Sequence, residues 1–216
     1  MKKLLFLLIL LPYISFCQTS TPCLFFESST AIFYGIDFTG VKFVNDNGWG
    51  FDNLEKIRGY SFNKIDKKFY EEDCSDINLI FDKNNKSDVI CNFENSYKRN
   101  VQTDIKGIIN TEVTKLSPLK IDSIISFYPY DSLISKIGIL IIAQNLVKDW
   151  ESNTTDHSYG SFILAIFETK THNVILHFQI KGFANGMGFE NYWYRAVKNA
   201  IYGINMRKIR KIYCAK

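Results

Sequence analysis

The feature that most constrains the fold is an apolar segment in the second half of the chain, Ile137 to Ala143. It is seven residues long and rich in isoleucine, and no charged residue interrupts it. A short, continuous apolar run that is rich in β-branched residues is typical of a strand that is covered on both faces. The sequence therefore predicts a β-sheet in which this segment is a central strand.

Two helices are predicted from their capping and their periodicity. Ser117 supplies an N-cap hydroxyl and Pro118 occupies the first helical position, so a helix begins here. A second helix, near the end of the chain, has an apolar stripe that must face a core. This stripe consists of Trp193, Ala196, Val197, Ala200, Ile201 and Ile204. Lys198 lies away from the stripe, and its removal is expected to cost almost no stability.

The remaining elements are predicted from shorter patterns. Residues 18–30 are rich in serine and threonine and are interpreted as a leader into the fold. A helix is expected from Asn53 to about Glu72, weakened in its middle by Gly59. Strands are expected at 31–36, 41–44, 77–81, 89–93, 159–167 and 174–180, the last two as a hairpin.

This order of elements predicts the fold class. Helices scattered among mainly antiparallel strands indicate an α+β fold. The expected architecture is a mainly antiparallel sheet with helices packed on one face and a C-terminal strand–hairpin–helix module. Because no repeat or linker divides the chain, residues 18–216 are expected to form a single domain.

Residues 1–17 have the pattern of a removable export signal. Two lysines precede an apolar run from Leu4 to Leu11, and small residues at Ser15 and Cys17 favour cleavage after Cys17. Phe16 stands where lipoprotein signals have a small residue, so a lipid anchor on Cys17 is the disfavoured alternative. The apolar run is shorter than the roughly 20 residues of a membrane-spanning helix. The mature chain is therefore predicted to lie in the periplasm or at the cell surface, without a transmembrane helix.

Four cysteines remain after cleavage, namely Cys23, Cys74, Cys91 and Cys214. An even number of cysteines in an oxidising compartment favours two disulfides over the alternative of free buried thiols. Three pairings are open, and Cys74 with Cys91 and Cys23 with Cys214 are the favoured ones. The cysteines lack the close paired spacing of a zinc site, and the three histidines show no ligand spacing. We therefore expect no metal and no cofactor.

The charge balance argues against nucleic acid as a partner. Lys2 and Lys3 leave with the signal, so the 26 basic residues become 24 against 22 acidic ones. The one basic concentration lies between Arg207 and Lys211. Its default interpretation is a solvated helix end, with an anionic surface as the alternative partner.

The first candidate binding segment is the glycine-rich stretch before the last helix, with Gly186 and Gly188. Backbone N–H groups at the start of a helix can hold an anion. The glycine spacing matches neither the P-loop nor the dinucleotide-binding pattern. Glycines that let a strand turn into a helix explain the segment as well, and this structural interpretation is favoured.

Three charged residues complete the candidate binding set. Asp37 ends a predicted strand, where a carboxylate either serves a site or caps a turn. Glu190 and Arg195 flank Trp193 and form either part of a ligand site or a surface ion pair. No serine or cysteine has the surroundings of a catalytic nucleophile, so no catalytic residue is assigned.

Two parts of the chain resemble a family of secreted proteins from Gram-negative bacteria with no established activity. The first part is the segment Tyr34-Gly35-Ile36-Asp37-Phe38. The second is a C-terminal module made of the strand Ile139–Ala143, the hairpin segment Ala165–Glu168 and the turn Gly186–Trp193. The likeness implies an exported protein and supports the fold class. The chain departs from the family pattern at Glu190, where a basic residue is expected.

Taken together, these features predict a non-catalytic binding or assembly module of the periplasm or cell surface. Its expected partner is another envelope protein or a glycan. The alternative is a small envelope hydrolase in which Asp37 and Glu190 provide carboxylate chemistry.

Overall fold

The structure is a computed structural model that describes residues 21–28, 30–44, 53–81, 88–130, 136–148 and 158–214. The predicted signal and the question of a lipid on Cys17 lie outside these ranges. The helices are α1 (Thr21–Glu27), α2 (Leu54–Lys56), α3 (Phe62–Asp73), α4 (Ile77–Ile80), α5 (Glu94–Asn100), α6 (Pro118–Ile125), α7 (Phe189–Tyr202) and α8 (Met206–Cys214). A π-helical turn, Ile57–Ser61, joins α2 to α3, and a 3₁₀ turn, Cys74–Asp76, joins α3 to α4.

Seven strands in the described ranges form one mixed sheet. They are β1 (Thr30–Asp37), β2 (Lys42–Val44), β3 (Asp88–Cys91), β4 (Ile109–Asn110), β5 (Ile137–Val147), β6 (Tyr159–Glu168) and β7 (Val174–Phe183). β5 is the central strand and every one of its residues is buried, as its sequence predicts.

Two short strands share one edge of β5. β1 pairs in parallel with the first half of β5, and β2 pairs in parallel with its last three residues. β6 pairs along the whole of the opposite edge of β5. On their own side of β5, β1 and β2 therefore lie end to end and together take the place of one strand. β3 and β4 continue the parallel pairing outside β1 and β2, and β7 continues the antiparallel pairing outside β6.

The predicted fold class is therefore wrong. Five strands, in the order β3-β1-β5-β2-β4, are parallel. Of the seven strands, only β6 and β7 join the sheet by antiparallel pairing, so the fold is α/β-like. Periodicity shows that a strand is buried but does not show the direction of its partner, which is about a hundred residues away in the case of β1 and β5. The hairpin of β6 and β7 is present as predicted.

The helices cover both faces of the sheet, which also corrects the prediction of helices on one face. α6 packs Ile121, Ile124 and Ile125 onto one face. The opposite face carries the larger core, to which α3 and α7 contribute. Trp193 is 1% exposed there, and the stripe predicted for the last helix is buried from Trp193 to Ile201.

Local predictions were partly correct. The Ser117 hydroxyl accepts a hydrogen bond from the Lys120 N–H at 3.2 Å, which confirms this residue as the cap of α6. The strand expected at 77–81 is wrong, because Ile77–Ile80 forms a helix, and a run this short has no distinguishing period. Residues Thr21–Glu27, expected to be a leader, form α1 and bury Phe25 and Phe26.

Both favoured disulfides are present. Cys74 joins Cys91, with 6.5 Å between the Cα atoms, and links the 3₁₀ turn to β3. Cys23 joins Cys214 across 191 residues, with 5.5 Å between the Cα atoms, and links α1 to α8. These two bonds exclude free thiols at all four positions.

Candidate functional site

The candidate site is a groove of about 520 Å³ that lies between α3 and the first turn of α7. We call it the α3–α7 groove. Helix α5 closes one side. The lining residues are Gly59, Tyr60, Asn63, Lys64, Lys67, Lys68, Glu71, Glu72, Tyr97, Glu190 and Asn191.

The π-helical turn shapes the rim of this groove. π-turns are rare and occur frequently at functional sites. Here the turn brings Gly59 and Tyr60 to the rim and directs Ser61 towards α7. A Cβ atom on Gly59 would have no heavy atom within 4 Å, so the rim is open at this point. The Tyr60 ring is 50% exposed.

Two hydrogen bonds fix the π-helical turn and α3 against the start of α7. The buried Ser61 hydroxyl donates to Glu190 Oε1 at 2.8 Å. Lys68 Nζ donates to Asn191 Oδ1 at 2.7 Å. These contacts place a carboxylate and an amide from α7 in the wall of the groove.

The charged lining is balanced. Lys64, Lys67 and Lys68 stand against the three carboxylates Glu71, Glu72 and Glu190. Two of the lysines form ion pairs with Glu71 and Glu72, at 3.5 Å each, one helical turn along α3. Such exposed pairs contribute little stability, so their polar atoms can exchange partners with a ligand at small cost.

The side of the groove next to α5 contains neutral donors and acceptors. Asn63 Nδ2 donates to the Tyr97 carbonyl at 3.3 Å, while Asn63 Oδ1 is shielded from solvent and has no hydrogen-bond partner among the described residues. Burial, together with the negative charges of Asp66 and Glu71, raises the pKa of the Tyr97 phenol well above its usual range. Tyr97 therefore keeps its proton and remains a hydrogen-bond donor.

A buried network supports the groove from below. The Tyr194 hydroxyl lies 2.6 Å from Glu72 Oε2 and 2.7 Å from Asp73 Oδ2. Burial and the two nearby carboxylates raise the pKa of Tyr194. Asp73 is 1% exposed and also pairs with Lys198 Nζ at 2.7 Å. This network holds Glu72 in the groove wall.

Of the candidate binding residues, only Glu190 lines the groove. Gly188 precedes α7 with a φ of 78°, and Gly186 has a φ of 112°. Both angles favour glycine, which supports the structural interpretation of this turn. The exposed Arg195 side chain lies beside Gly186 rather than against Glu190, since its Cδ is 3.5 Å from the position of a Cβ on that glycine.

Asp37 belongs to a separate, closed cluster, which we call the Asp37 cluster and which comprises Asp37, Thr39, Arg99 and Tyr128. Its carboxylate is fully buried and pairs with Arg99 Nε at 2.6 Å. The Tyr128 hydroxyl donates to it at 2.8 Å, and both the backbone N–H and the hydroxyl of Thr39 donate to Oδ1. Burial and the charge of Asp37 raise the pKa of Tyr128.

The Asp37 cluster leaves no acceptor site for a substrate. An ionised carboxylate has about four lone-pair positions, and four protein donors already occupy those of Asp37. In the described part of the chain, Asp37 and Glu190 share no hydrogen-bond partner. This geometry gives no support to a hydrolase that uses these two residues together.

A neighbouring group of buried polar side chains accepts hydrogen bonds from backbone N–H groups where the pairing of β1 is irregular. The pairing of β1 with β5 shifts register between Phe33 and Ile36. Asp66 accepts a hydrogen bond from the Ile36 N–H at 3.0 Å and one from the Ser96 hydroxyl at 2.5 Å. Asn100 accepts from the Phe38 N–H at 2.8 Å. These side chains therefore have a structural role.

The sequence analysis did not predict the α3–α7 groove, although the spacing of its residues in the sequence indicates a shared face. Tyr60, Lys64, Lys67, Lys68 and Glu71 recur at intervals of three and four, which places them on one helical face. A face that combines an aromatic residue with several cations suggests a surface with a binding role. The contribution of Glu190 could not be found in this way, because it depends on how α7 packs against α3.

Across the described ranges, no group of three or more histidine, cysteine, aspartate or glutamate residues could hold a metal ion. Within the same ranges, no helix combines the length and the apolar character needed to cross a membrane.

Comparisons with known proteins leave the family of this chain open. No protein-family model matches it, and no curated protein matches it significantly. Among solved structures, it is similar to one described as a neuraminyllactose-binding hemagglutinin homolog from Helicobacter pylori. The match covers 87% of this chain and 84% of that chain, with 10% sequence identity and a TM-score of 0.31. A TM-score at this level carries no conclusion about this chain.

Proposed function

We propose that this chain is an exported, non-catalytic binding module that holds a neutral glycan of the cell envelope in the α3–α7 groove. The observation that carries the proposal is the lining of the groove. It combines three lysines and three glutamates with the half-exposed ring of Tyr60.

The balanced charge favours a ligand without a net charge. A phosphate-rich or polyanionic ligand would meet Glu71, Glu72 and Glu190, and a cationic ligand would meet the three lysines. A ligand with many hydroxyl groups can donate to the carboxylates and accept from the ammonium groups at the same time. Saccharides have this chemistry.

Tyr60 adds a surface for the apolar face of a sugar ring. A tyrosine at a rim presents a flat apolar body and a polar hydroxyl, and both suit a ring that has C–H groups and hydroxyls. The Lys64 ammonium lies 5.2 Å from the centre of the Tyr60 ring, which orients the side chain at the rim.

Export is supported by two independent features of the chain. Residues 1–17 have the pattern of an export signal. The bonds Cys23–Cys214 and Cys74–Cys91 are of the kind that form and persist outside the cytoplasm. The resemblance to secreted proteins of Gram-negative bacteria agrees with this location.

A saccharide array tests the proposal directly. The mature protein is applied to an array of bacterial envelope oligosaccharides, including muropeptide-derived disaccharides and neutral polysaccharide fragments. The affinity for any oligosaccharide that binds is then measured by calorimetry for wild type and for Tyr60→Ala. We expect a loss of about tenfold in affinity, because a stacked aromatic contributes on the order of 1–1.5 kcal/mol.

The matched control is Tyr70→Ala. Tyr70 is 49% exposed, close to the value for Tyr60, but it does not line the groove. Its substitution should leave the affinity unchanged. An equal loss in both variants, or an array on which only acidic saccharides bind, would contradict a neutral glycan in this groove.

A further inference from the structure

β7 presents unpaired backbone groups along the edge of the sheet. The Ala184 N–H donates to the Ser158 carbonyl at 2.9 Å, and pairing alternates from residue to residue in an antiparallel ladder. The even-numbered residues of β7 from 176 to 182 therefore bond to β6, and His177, Gln179 and Lys181 direct their N–H and C=O groups outwards. Within the described residues, no backbone hydrogen bond satisfies these outward groups.

A second groove, of about 470 Å³, runs along this edge. Four consecutive residues of β7, from Phe178 to Lys181, line it. Consecutive side chains of a strand point to opposite faces, so a groove can touch all four only along the strand's edge. We call it the β7-edge groove.

The opposite wall of this groove is apolar and basic. It is formed by the end of α7, the turn that follows it and α8, with Ile204, Ile209, Ile212 and Lys208 among the lining residues. The Ile212 side chain is 65% exposed. An edge strand with a parallel apolar wall is the arrangement that proteins use to accept an additional strand.

The charge of the residues that line the β7-edge groove determines which kind of strand can bind there. The lining includes Lys181 and Lys208 and no acidic residue. Helix α8 as a whole has the basic residues Arg207, Lys208, Arg210 and Lys211 and no carboxylate. A second copy of this chain would bring two basic helices together, whereas an acidic segment would complement them.

We propose that the β7-edge groove binds an extended acidic segment of another protein by strand addition. The backbone of the segment pairs with the outward groups of His177, Gln179 and Lys181. Its apolar side chains enter the groove between β7 and α8, and its carboxylates face the lysines. This site is separate from the α3–α7 groove, and the two share no lining residue.

The probe is a capped decapeptide of alternating valine and glutamate, added to the mature protein at low ionic strength. We expect it to bind and to slow the amide hydrogen exchange of His177, Gln179 and Lys181 by at least tenfold, measured by NMR. The same peptide with an N-methyl group on every backbone nitrogen has no backbone N–H to donate and should bind at least tenfold more weakly. A valine–lysine decapeptide should not bind.

Variants separate this proposal from its competitors. Lys208→Glu should weaken peptide binding at least fivefold, whereas Lys106→Glu, an exposed control outside the groove, should not. Equal affinity for the methylated peptide would overturn strand addition. Two further results would also overturn it: dimerisation of the protein alone, measured by analytical ultracentrifugation, and binding to phosphatidylglycerol vesicles but not to the acidic peptide.

Discussion

The Asp37 cluster and the α3–α7 groove both consist of charged side chains, but one is closed and the other is open. In the Asp37 cluster, a fully buried carboxylate receives four protein hydrogen bonds. In the groove, whose volume is about 520 Å³, carboxylates and lysines form exposed pairs. The difference shows that a conspicuous carboxylate at a strand end serves the fold when its acceptor positions are all filled.

The largest effect on stability should come from Asp37→Ala. The substitution leaves the Arg99 guanidinium and the buried Tyr128 hydroxyl without their acceptor. Removing one partner of a buried ion pair typically costs about 3–5 kcal/mol, and we expect a loss in this range in urea denaturation. The control is Asp88→Ala, which removes an exposed carboxylate at the start of β3 and should cost less than about 0.5 kcal/mol.

A loss below about 1 kcal/mol for Asp37→Ala would remove the distinction between the two regions. It would show that the cluster contributes little to folding, and a ligand-binding role for Asp37 would then have to be considered again.

The next effect concerns Asp66, whose pKa is raised mainly by burial. Because the folded pKa lies above the unfolded value, the protonated form favours the folded state. This stabilisation is full below the ordinary aspartate pKa of about 4 and is lost as the pH rises through the raised pKa. In wild type, the free energy of unfolding should therefore fall across that range.

Asp66→Asn should flatten this pH dependence. The amide oxygen can still accept from the Ile36 N–H, and the Ser96 hydroxyl can donate to the Phe93 carbonyl, to which it already lies at 2.8 Å. Urea denaturation at several pH values compares the two proteins. An unchanged slope in the variant would show that another group causes the pH dependence.

A moderate effect is expected for Lys198→Ala, in contrast to the near-zero cost predicted from its position on the helix. Lys198 pairs with Asp73, a buried carboxylate beneath the groove, although 37% of the lysine side chain is exposed. With solvent screening taken into account, we expect a loss of about 1–2 kcal/mol. The neighbouring Arg195→Ala is the matched control on α7 and should change the stability by less than about 0.5 kcal/mol. Equal values for the two variants would restore the sequence-based prediction.

The smallest effect on stability should come from Tyr60→Ala. Its ring is half exposed at the rim of the groove, so its loss should cost less than about 0.5 kcal/mol in the same assay. Taken with the loss of glycan affinity, this result would mark Tyr60 as a binding residue. A destabilisation above about 2 kcal/mol would instead identify it as part of the core.

The sequence predicted those parts of the fold that depend on local chemistry. The cap at Ser117 and the apolar stripe of α7 are properties of neighbouring residues, and both are found as expected. The parallel pairing of β1 with β5 is not local, and the short run at Ile77 has no period long enough to separate helix from strand. The topology of the sheet could therefore not be predicted from local sequence patterns.

The same reasoning applies to the sites. Two of the residues that donate to Asp37, namely Arg99 and Tyr128, lie 62 and 91 residues further along the chain. No local pattern could show that they close around its carboxylate. The aromatic and basic face formed by the π-helical turn and α3 was visible as a spacing of residues. Its role in a groove could not be predicted, because the opposite wall is formed by Glu190 of α7.

The bond between Cys23 and Cys214 has a mechanical consequence. It joins residues 191 positions apart, so nearly the whole described chain lies inside one covalent loop. Tension applied to the chain beyond these two cysteines passes through the sulfur bridge and bypasses the sheet and its helices. A protein held in this way keeps its fold under load until the bridge is reduced, and a single cut in a loop between the two cysteines leaves both fragments attached.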